Sequence, residues 1–118
     1  MSGPARLPVT EAALQTTIVD LAILYGWRVY HSRPAWIRDG KMITPLQGHK
    51  GFPDLIMVRP PRLIVAELKS DKGQLTIDQQ HWLEVFAGCL AETYCWRPSD
   101  LPEIQRLLER HASRGDRS

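Results

Sequence analysis

The sequence predicts an α/β fold: a mixed central sheet with helices on both faces, in the order α-β-β-β-α-β-α. Three observations predict it. Stretches with apolar residues at helical spacing stand near the start, middle and end of the chain, and a sheet between them buries their stripes. Two apolar runs, 55–58 and 63–69, flank Arg59-Pro60-Pro61-Arg62, a turn that cannot extend a sheet ladder and so reads as a hairpin. A strand expected over 90–96 follows the second run through a helix, and such a crossover is parallel and right-handed. At 118 residues the chain suits one domain with a single core, expected over residues 10–112.

The elements follow in order. Residues 1–9 hold Pro4 and Pro8 and read as an extended lead-in. Thr10 is a good N-cap for a helix over 11–25, in which Leu14, Ile18, Leu21, Ala22 and Tyr25 share a face. Gly26 suits a left-handed turn that ends it. Trp27–His31 alternates and is rich in aromatic and branched residues, so it reads as a strand. Residues 32–50 hold Pro34, Gly40, Pro45 and Gly48 and read as irregular. A loop of that length in a small domain is functional or mobile. Its basic residues, interleaved with Trp36, suit a DNA backbone and an exposed base; alternatively Trp36, Ile37, Met42 and Ile43 form an extra hairpin on the core. Both can hold together. Thr76 caps a helix over 77–87 with Trp82, Leu83, Val85 and Phe86 inward and Gly88 at its end. Ser99 or Asp100 caps a final helix to about Ala112, with Ile104, Leu107 and Leu108 inward. The polar tail 113–118 is expected to be disordered.

Composition excludes several classes. Hydrophobic residues make up 43% and charged residues 24%, as in ordinary globular domains. No apolar run approaches the roughly 20 residues that cross a membrane, and no apolar signal-peptide segment follows Met1. No membrane partner is expected, and the chain reads as cytoplasmic, in the host cell if it is viral. Cys89 and Cys95 suit a reducing compartment and form neither a disulfide framework nor a zinc pattern, so both read as packing residues. There is no GxxxxGK[ST] run, no GxGxxG after a strand, and no Ser or Cys nucleophile with a paired His. The net charge is only +2, but its distribution is uneven. Between Arg28 and Arg62 seven basic residues (Arg28, Arg33, Arg38, Lys41, Lys50, Arg59, Arg62) face two acids (Asp39, Asp54), a surplus suited to a polyanion or simply to a solvated loop.

The most informative stretch is Gly51-Phe52-Pro53-Asp54 through Glu67-Leu68-Lys69. Side chains alternate along a strand, so Glu67 and Lys69 point the same way out of an apolar segment. Charged groups so placed are costly unless paired or bound to a metal. Hairpin pairing brings Asp54 to the same strand end as Glu67 and Lys69. Glu11 opens the first helix beside its buried face; it either complements the helix dipole or points inward to a metal. Gln79 borders the packed side of the middle helix and is a surface amide or a neighbour of the site. Converging carboxylates suit Mg²⁺ or Mn²⁺, which take oxygen ligands, waters and phosphate oxygens, and the scattered His31, His49, His81 and His111 do not suit zinc. A metal held there activates water, and Lys69 can orient that water or stabilise developing phosphate charge, which is the logic of phosphodiester hydrolysis.

Gly51-Phe52-Pro53-Asp54, then twelve residues, then Glu67-Leu68-Lys69 resembles the motif of the PD-(D/E)xK nuclease superfamily. More narrowly, Lys50–Ile56, Glu67–Ser70 and Leu75–Leu83 resemble the small stand-alone VRR-NUC nucleases of phages and bacteria, similar in fold to Holliday-junction resolvases. The resemblance covers roughly residues 10–110. It implies a restriction-endonuclease-like fold and a Mg²⁺- or Mn²⁺-dependent endonuclease acting on branched DNA, favouring four-way junctions as a homodimer. It further implies Asp54 and Glu67 as metal ligands with the Leu68 carbonyl, Lys69 as the catalytic lysine, Gln79 beside them, and Glu11 completing the metal shell. Arg33, Trp36, Arg38, Lys41, His49, Lys50 and Arg62 are the expected DNA contacts, from charge and position rather than from a motif. Trp36, Ile37 and Phe86 are surplus apolar residues suited to a dimer interface. Two other readings stay open: a nuclease acting on flaps, nicked or linear nucleic acid, and a non-catalytic DNA-binding module that needs a partner.

Overall fold

The computed structural model describes residues 9–31, 36–38, 41–43 and 47–111, with the backbone alone at 36–38 and 41–43. Nearly all of the expected N-terminal lead-in, the polar tail and Arg33 lie outside the described residues. Helix α1 spans Glu11–Leu24, capped by Thr10, whose hydroxyl accepts from the Ala13 N–H at 3.0 Å. Its helical-period stripe buries Leu14, Ile18 and Ala22, and Gly26 takes the expected left-handed conformation at φ 87°. Strand β1 (Arg28–His31) follows. The 32–50 stretch is not wholly irregular: β2 (Trp36–Arg38) and β3 (Lys41–Ile43) pair antiparallel, as in the hairpin alternative.

Strands β4 (Leu55–Arg59) and β5 (Arg62–Leu68) form the hairpin around Pro60-Pro61, and Arg59 still pairs with Arg62 across the turn. Helix α2 (Ile77–Ala87) leads to β6 (Glu92–Trp96), which joins β5 in parallel. A 3-10 turn (Pro98–Asp100) then runs into α3 (Leu101–Glu109). The sheet order is β1-β4-β5-β6, antiparallel except for the β5–β6 pair, so the protein has an α/β fold with a four-stranded mixed sheet and three helices. Among the described residues no helix is long and apolar enough to cross a membrane.

Strand alternation divides the hydrophobic residues between two faces. Leu55, Met57, Ile64, Ala66, Leu68 and Trp96 pack with Leu14, Ile18, Ala22, Trp27, Ile104 and Leu108 in one core, under α1 and α3. Val65 and Glu67 point to the other face, where α2 packs on β5 and β6. Only Leu83 of α2 is buried. Val85, expected inward, is 51% exposed, because α2 covers only the β5–β6 half of its sheet face. Phe86 is half-buried and stacks on Trp82 in an intramolecular cluster. Cys89, expected to pack, is exposed in the turn that leaves α2, while Cys95 is half-buried on β6.

The sheet end opposite Glu67 is held by two arginines. Arg62, expected on the DNA side, is 7% exposed and belongs to this end. Its guanidinium donates to both Glu92 carboxylate oxygens at 2.7 Å and to the carbonyls of Leu107 at 2.8 Å and Arg110 at 2.5 Å. Arg59 donates to the carbonyls of Tyr25, Leu108 and Arg110. Both guanidinium carbons lie over Trp27, 4.8 and 4.9 Å from the ring centre, and the Trp27 indole donates to Leu108. The last carbonyls of a helix lack partners within it. Here the arginines satisfy them, and α3 ends at Glu109, before the expected Ala112. The Arg62 hydrogen bonds hold the Glu92 carboxyl below the usual range against the opposing effect of burial. Arg62→Met removes these donors and is expected to cost about 3 kcal/mol at neutral pH. The measurement is a lower urea midpoint at unchanged m, with the deficit shrinking in acid as Glu92 takes a proton in both proteins. A loss under about 0.5 kcal/mol contradicts this role.

Candidate active site

The register that pairs Leu55 with Ala66 sets Asp54 across from Glu67 at the end of the hairpin. Asp54 Oδ2 accepts the Leu68 backbone N–H at 2.8 Å, which ties the loop before β4 to the end of β5. Glu67 is 3% exposed, and its Oε1 has no hydrogen-bond partner among the described residues. Its other oxygen, Oε2, lies 3.9 Å from the ammonium of Lys69, which is itself largely buried. Burial, then the neighbouring Asp54 charge and an Asp54 hydrogen bond to the protonated form, raise the Glu67 carboxyl to about 8, against the opposing pull of Lys69. Asp54, Glu67 and Lys69 therefore converge, as their positions in the sequence predict. Cys95 is the parallel partner of Glu67 on β6, a neighbour that the cysteine spacing did not signal.

Glu11 reaches the same strand end differently. Its side chain is at an exposed position, and Oε2 accepts the Ser70 N–H at 3.3 Å, one residue beyond Lys69. Arg97 holds the other side of that loop, donating to the carbonyls of Ser70 at 2.7 Å and Gly73 at 2.6 Å. Nothing in the local sequence around Arg97 announces this clamp, because its acceptors are main-chain atoms. Gln15, one turn after Glu11, lies 3.0 Å from His31 Nδ1, and His31 pairs with Leu55 beside Asp54.

Gln79 closes the capping box of α2. Its Oε1 accepts the Thr76 N–H at 3.0 Å while the Thr76 hydroxyl accepts the Gln79 N–H at 3.1 Å. Its amide oxygen is thus engaged in starting the helix. The α2 N-terminus nevertheless borders the Asp54 loop, because Gly51 lies against it. A Cβ on Gly51 would fall 2.7 Å from Asp78 Cβ and 2.9 Å from Gln79 N, and Gly51 has φ 92°. Phe52 meets Trp82 and Phe86 edge-on, and the Trp82 indole donates to the Lys50 carbonyl at 3.0 Å. The aromatic spacing in α2 thus serves to hold the segment that carries Asp54.

Of the expected DNA contacts, His49 and Lys50 are exposed on this side of the molecule, and Lys50 lies 3.5 Å from Asp78. Arg62 is buried at the other end of the sheet. Only the backbone of Trp36, Arg38 and Lys41 is described, and they lie on β2 and β3.

Two facing carboxylates, one raised in pKa and carrying a buried unpartnered oxygen, suit a divalent cation, whose charge would remove both costs. Asp54 and Glu67 would hold it. Among the described residues no group of three His, Cys, Asp or Glu side chains is close enough to form a cluster alone. Mg²⁺ often binds through one or two carboxylates, with waters and substrate phosphates filling its shell. The donor set therefore fits. No family model, curated protein or solved structure matches the chain.

Two consequences are measurable. A folded carboxyl raised from its ordinary 4.5 to about 8 holds a proton that the unfolded chain has lost, so stability falls as pH rises through this window. In EDTA, Glu67→Gln is expected to flatten that fall and to be the more stable protein near pH 8, read from urea midpoints. Equal pH slopes for the two proteins contradict a protonated Glu67. Gly51→Ala forces a side chain into α2 at a left-handed position and is expected to cost about 2 kcal/mol. A neutral effect on its thermal midpoint contradicts the close approach.

Proposed function

We propose that the protein is a Mg²⁺- or Mn²⁺-dependent endonuclease on a restriction-endonuclease-like fold. The observation that carries this reading is the convergence of Asp54, Glu67 and Lys69 at one strand end, with a buried carboxylate oxygen left without a partner among the described residues. The resemblance of Gly51–Asp54, Glu67–Lys69 and the α2 sequence to the VRR-NUC nucleases supports it independently.

Each residue has a part in the reading. Asp54 and Glu67 bind the cation, with the Leu68 carbonyl as a further oxygen ligand. When bound, the cation neutralises phosphate charge and lowers the pKa of a coordinated water. Lys69, beside Glu67, orients the attacking water and offsets negative charge on the phosphate. Glu11 and Arg97 hold the loop after Lys69, which keeps the ammonium directed at the site. Loss of the Glu67 proton frees both carboxylates as ligands, so activity should rise with pH until the pair is ionised.

Branched DNA is the preferred substrate class, with four-way junctions first. Symmetric cleavage of such a junction needs two sites, hence a C₂ homodimer. A cytoplasmic location is consistent with this substrate.

Wild-type protein is expected to nick supercoiled plasmid with Mn²⁺, while EDTA, Glu67→Gln, Asp54→Asn and Lys69→Ala each abolish nicking. Mn²⁺ should also raise the thermal midpoint of wild type and leave that of Glu67→Gln nearly unchanged. Full nicking by Glu67→Gln, or equal midpoint shifts in both proteins, would falsify the metal assignment.

A further inference from the structure

A groove beside the proposed site plays no part in the chemistry above. His49, Lys50, Asp78, His81, Trp82 and Val85 line about 260 Å³ of space between the segment before Gly51 and α2. Trp82 is fixed there by its bond to the Lys50 carbonyl and its contacts with Phe52 and Phe86. A fixed aromatic loses little freedom when a ring stacks on it. Val85 stands 51% exposed in the same groove, at a helix position whose spacing predicts burial.

The polar groups around this apolar centre are one ammonium, one carboxylate and two imidazoles. His49, Lys50 and His81 face one carboxylate, Asp78. Lys50 and Asp78 are 3.5 Å apart with side chains 75% and 48% exposed, a solvated pair that a phosphate can readily exchange with. Asp78 can then accept a hydrogen bond from an N–H on the edge of an unpaired base, such as N3–H of thymine. An aromatic and aliphatic slot rimmed by an ammonium and two imidazoles that can donate hydrogen bonds matches a nucleotide, which joins a flat ring to an anion.

The geometry points to a subsite for one unpaired nucleotide of a DNA strand, its base against Trp82 and Val85 and its phosphate facing Lys50, His49 and His81. Lys50 precedes Asp54 by four residues, at most about 14 Å of extended chain. That span is at most about four nucleotides of a stacked strand at a rise of about 3.4 Å each. The subsite rests on the nuclease reading for its link to cleavage, and it deepens that reading: the substrate carries an unpaired base close to the scissile phosphate. Intact duplex keeps its bases paired and cannot fill the slot; junctions, flaps and nicks can offer one.

The test is fluorescence anisotropy in EDTA at one fixed salt concentration, with a labelled thymidine oligonucleotide and a labelled, fully paired blunt hairpin. Val85→Glu and His81→Gln are each expected to weaken binding of the single strand about tenfold and of the hairpin less than about threefold. Ile23→Glu, which adds the same charge on an exposed position of α1, should weaken neither probe. The subsite is overturned if wild type does not bind the single strand at micromolar concentration. It is also overturned if the groove variants leave single-strand binding intact or weaken both probes equally. Plasmid nicking by wild type with Mn²⁺ separates the two ideas. No nicking alongside selective single-strand loss removes the nuclease reading and keeps the subsite; nicking with unchanged single-strand binding in Val85→Glu removes the subsite alone.

Discussion

A buried carboxylate set against another carboxylate is the constraint on which the rest of the structure turns. Glu67 lies in β5 where an apolar residue would cost nothing, and its Oε1 has no partner among the described residues. The Asp54 bond to Leu68 N holds the second carboxylate in place. Burial and like charge then keep a proton on Glu67 well above the ordinary range. This is a local stability cost, of the kind that proteins tolerate at sites that bind a cation or perform proton chemistry.

The other end of the same strand shows the contrasting solution. Arg62 is nearly as buried as Glu67, but Glu92 and the α3 carbonyls surround its guanidinium, and Trp27 stacks beneath it. A buried charge there has its hydrogen bonds made, and removing one partner is expensive. β5 therefore joins a closed polar end, which fastens α3 to the sheet, to an end where Glu67 Oε1 has no partner among the described residues.

Helices deliver the remaining parts. The Gly51 contact and the Phe52–Trp82–Phe86 cluster press the Asp54 segment against α2. Glu11 and Arg97 grip the Ser70 loop from both sides, beyond Lys69. These contacts fix the segments on either side of Asp54 and Lys69. In the nuclease reading this arrangement sets the ligands before metal arrives, and the groove beside Lys50 extends the site along a strand.

The sequence by itself determined the helices, the Pro-Pro hairpin and the convergence of Asp54, Glu67 and Lys69, because these follow from local periodicity, capping and strand alternation. Thr76 also announced the start of α2, whereas the part of Gln79 as its capping partner rests on their reciprocal hydrogen bonds. Tertiary structure alone decided where Arg62 goes, why Val85 is exposed, and that the 32–50 stretch holds a paired hairpin. Charge on Arg62 looked like a surface signal, yet whether an arginine meets solvent or the end of a helix depends on chain more than forty residues away. The burial of Glu67 belongs to the same class. Its place in an apolar strand was legible, but its lifted pKa arises from burial by the folded chain and from a carboxylate across the hairpin, which no local pattern records.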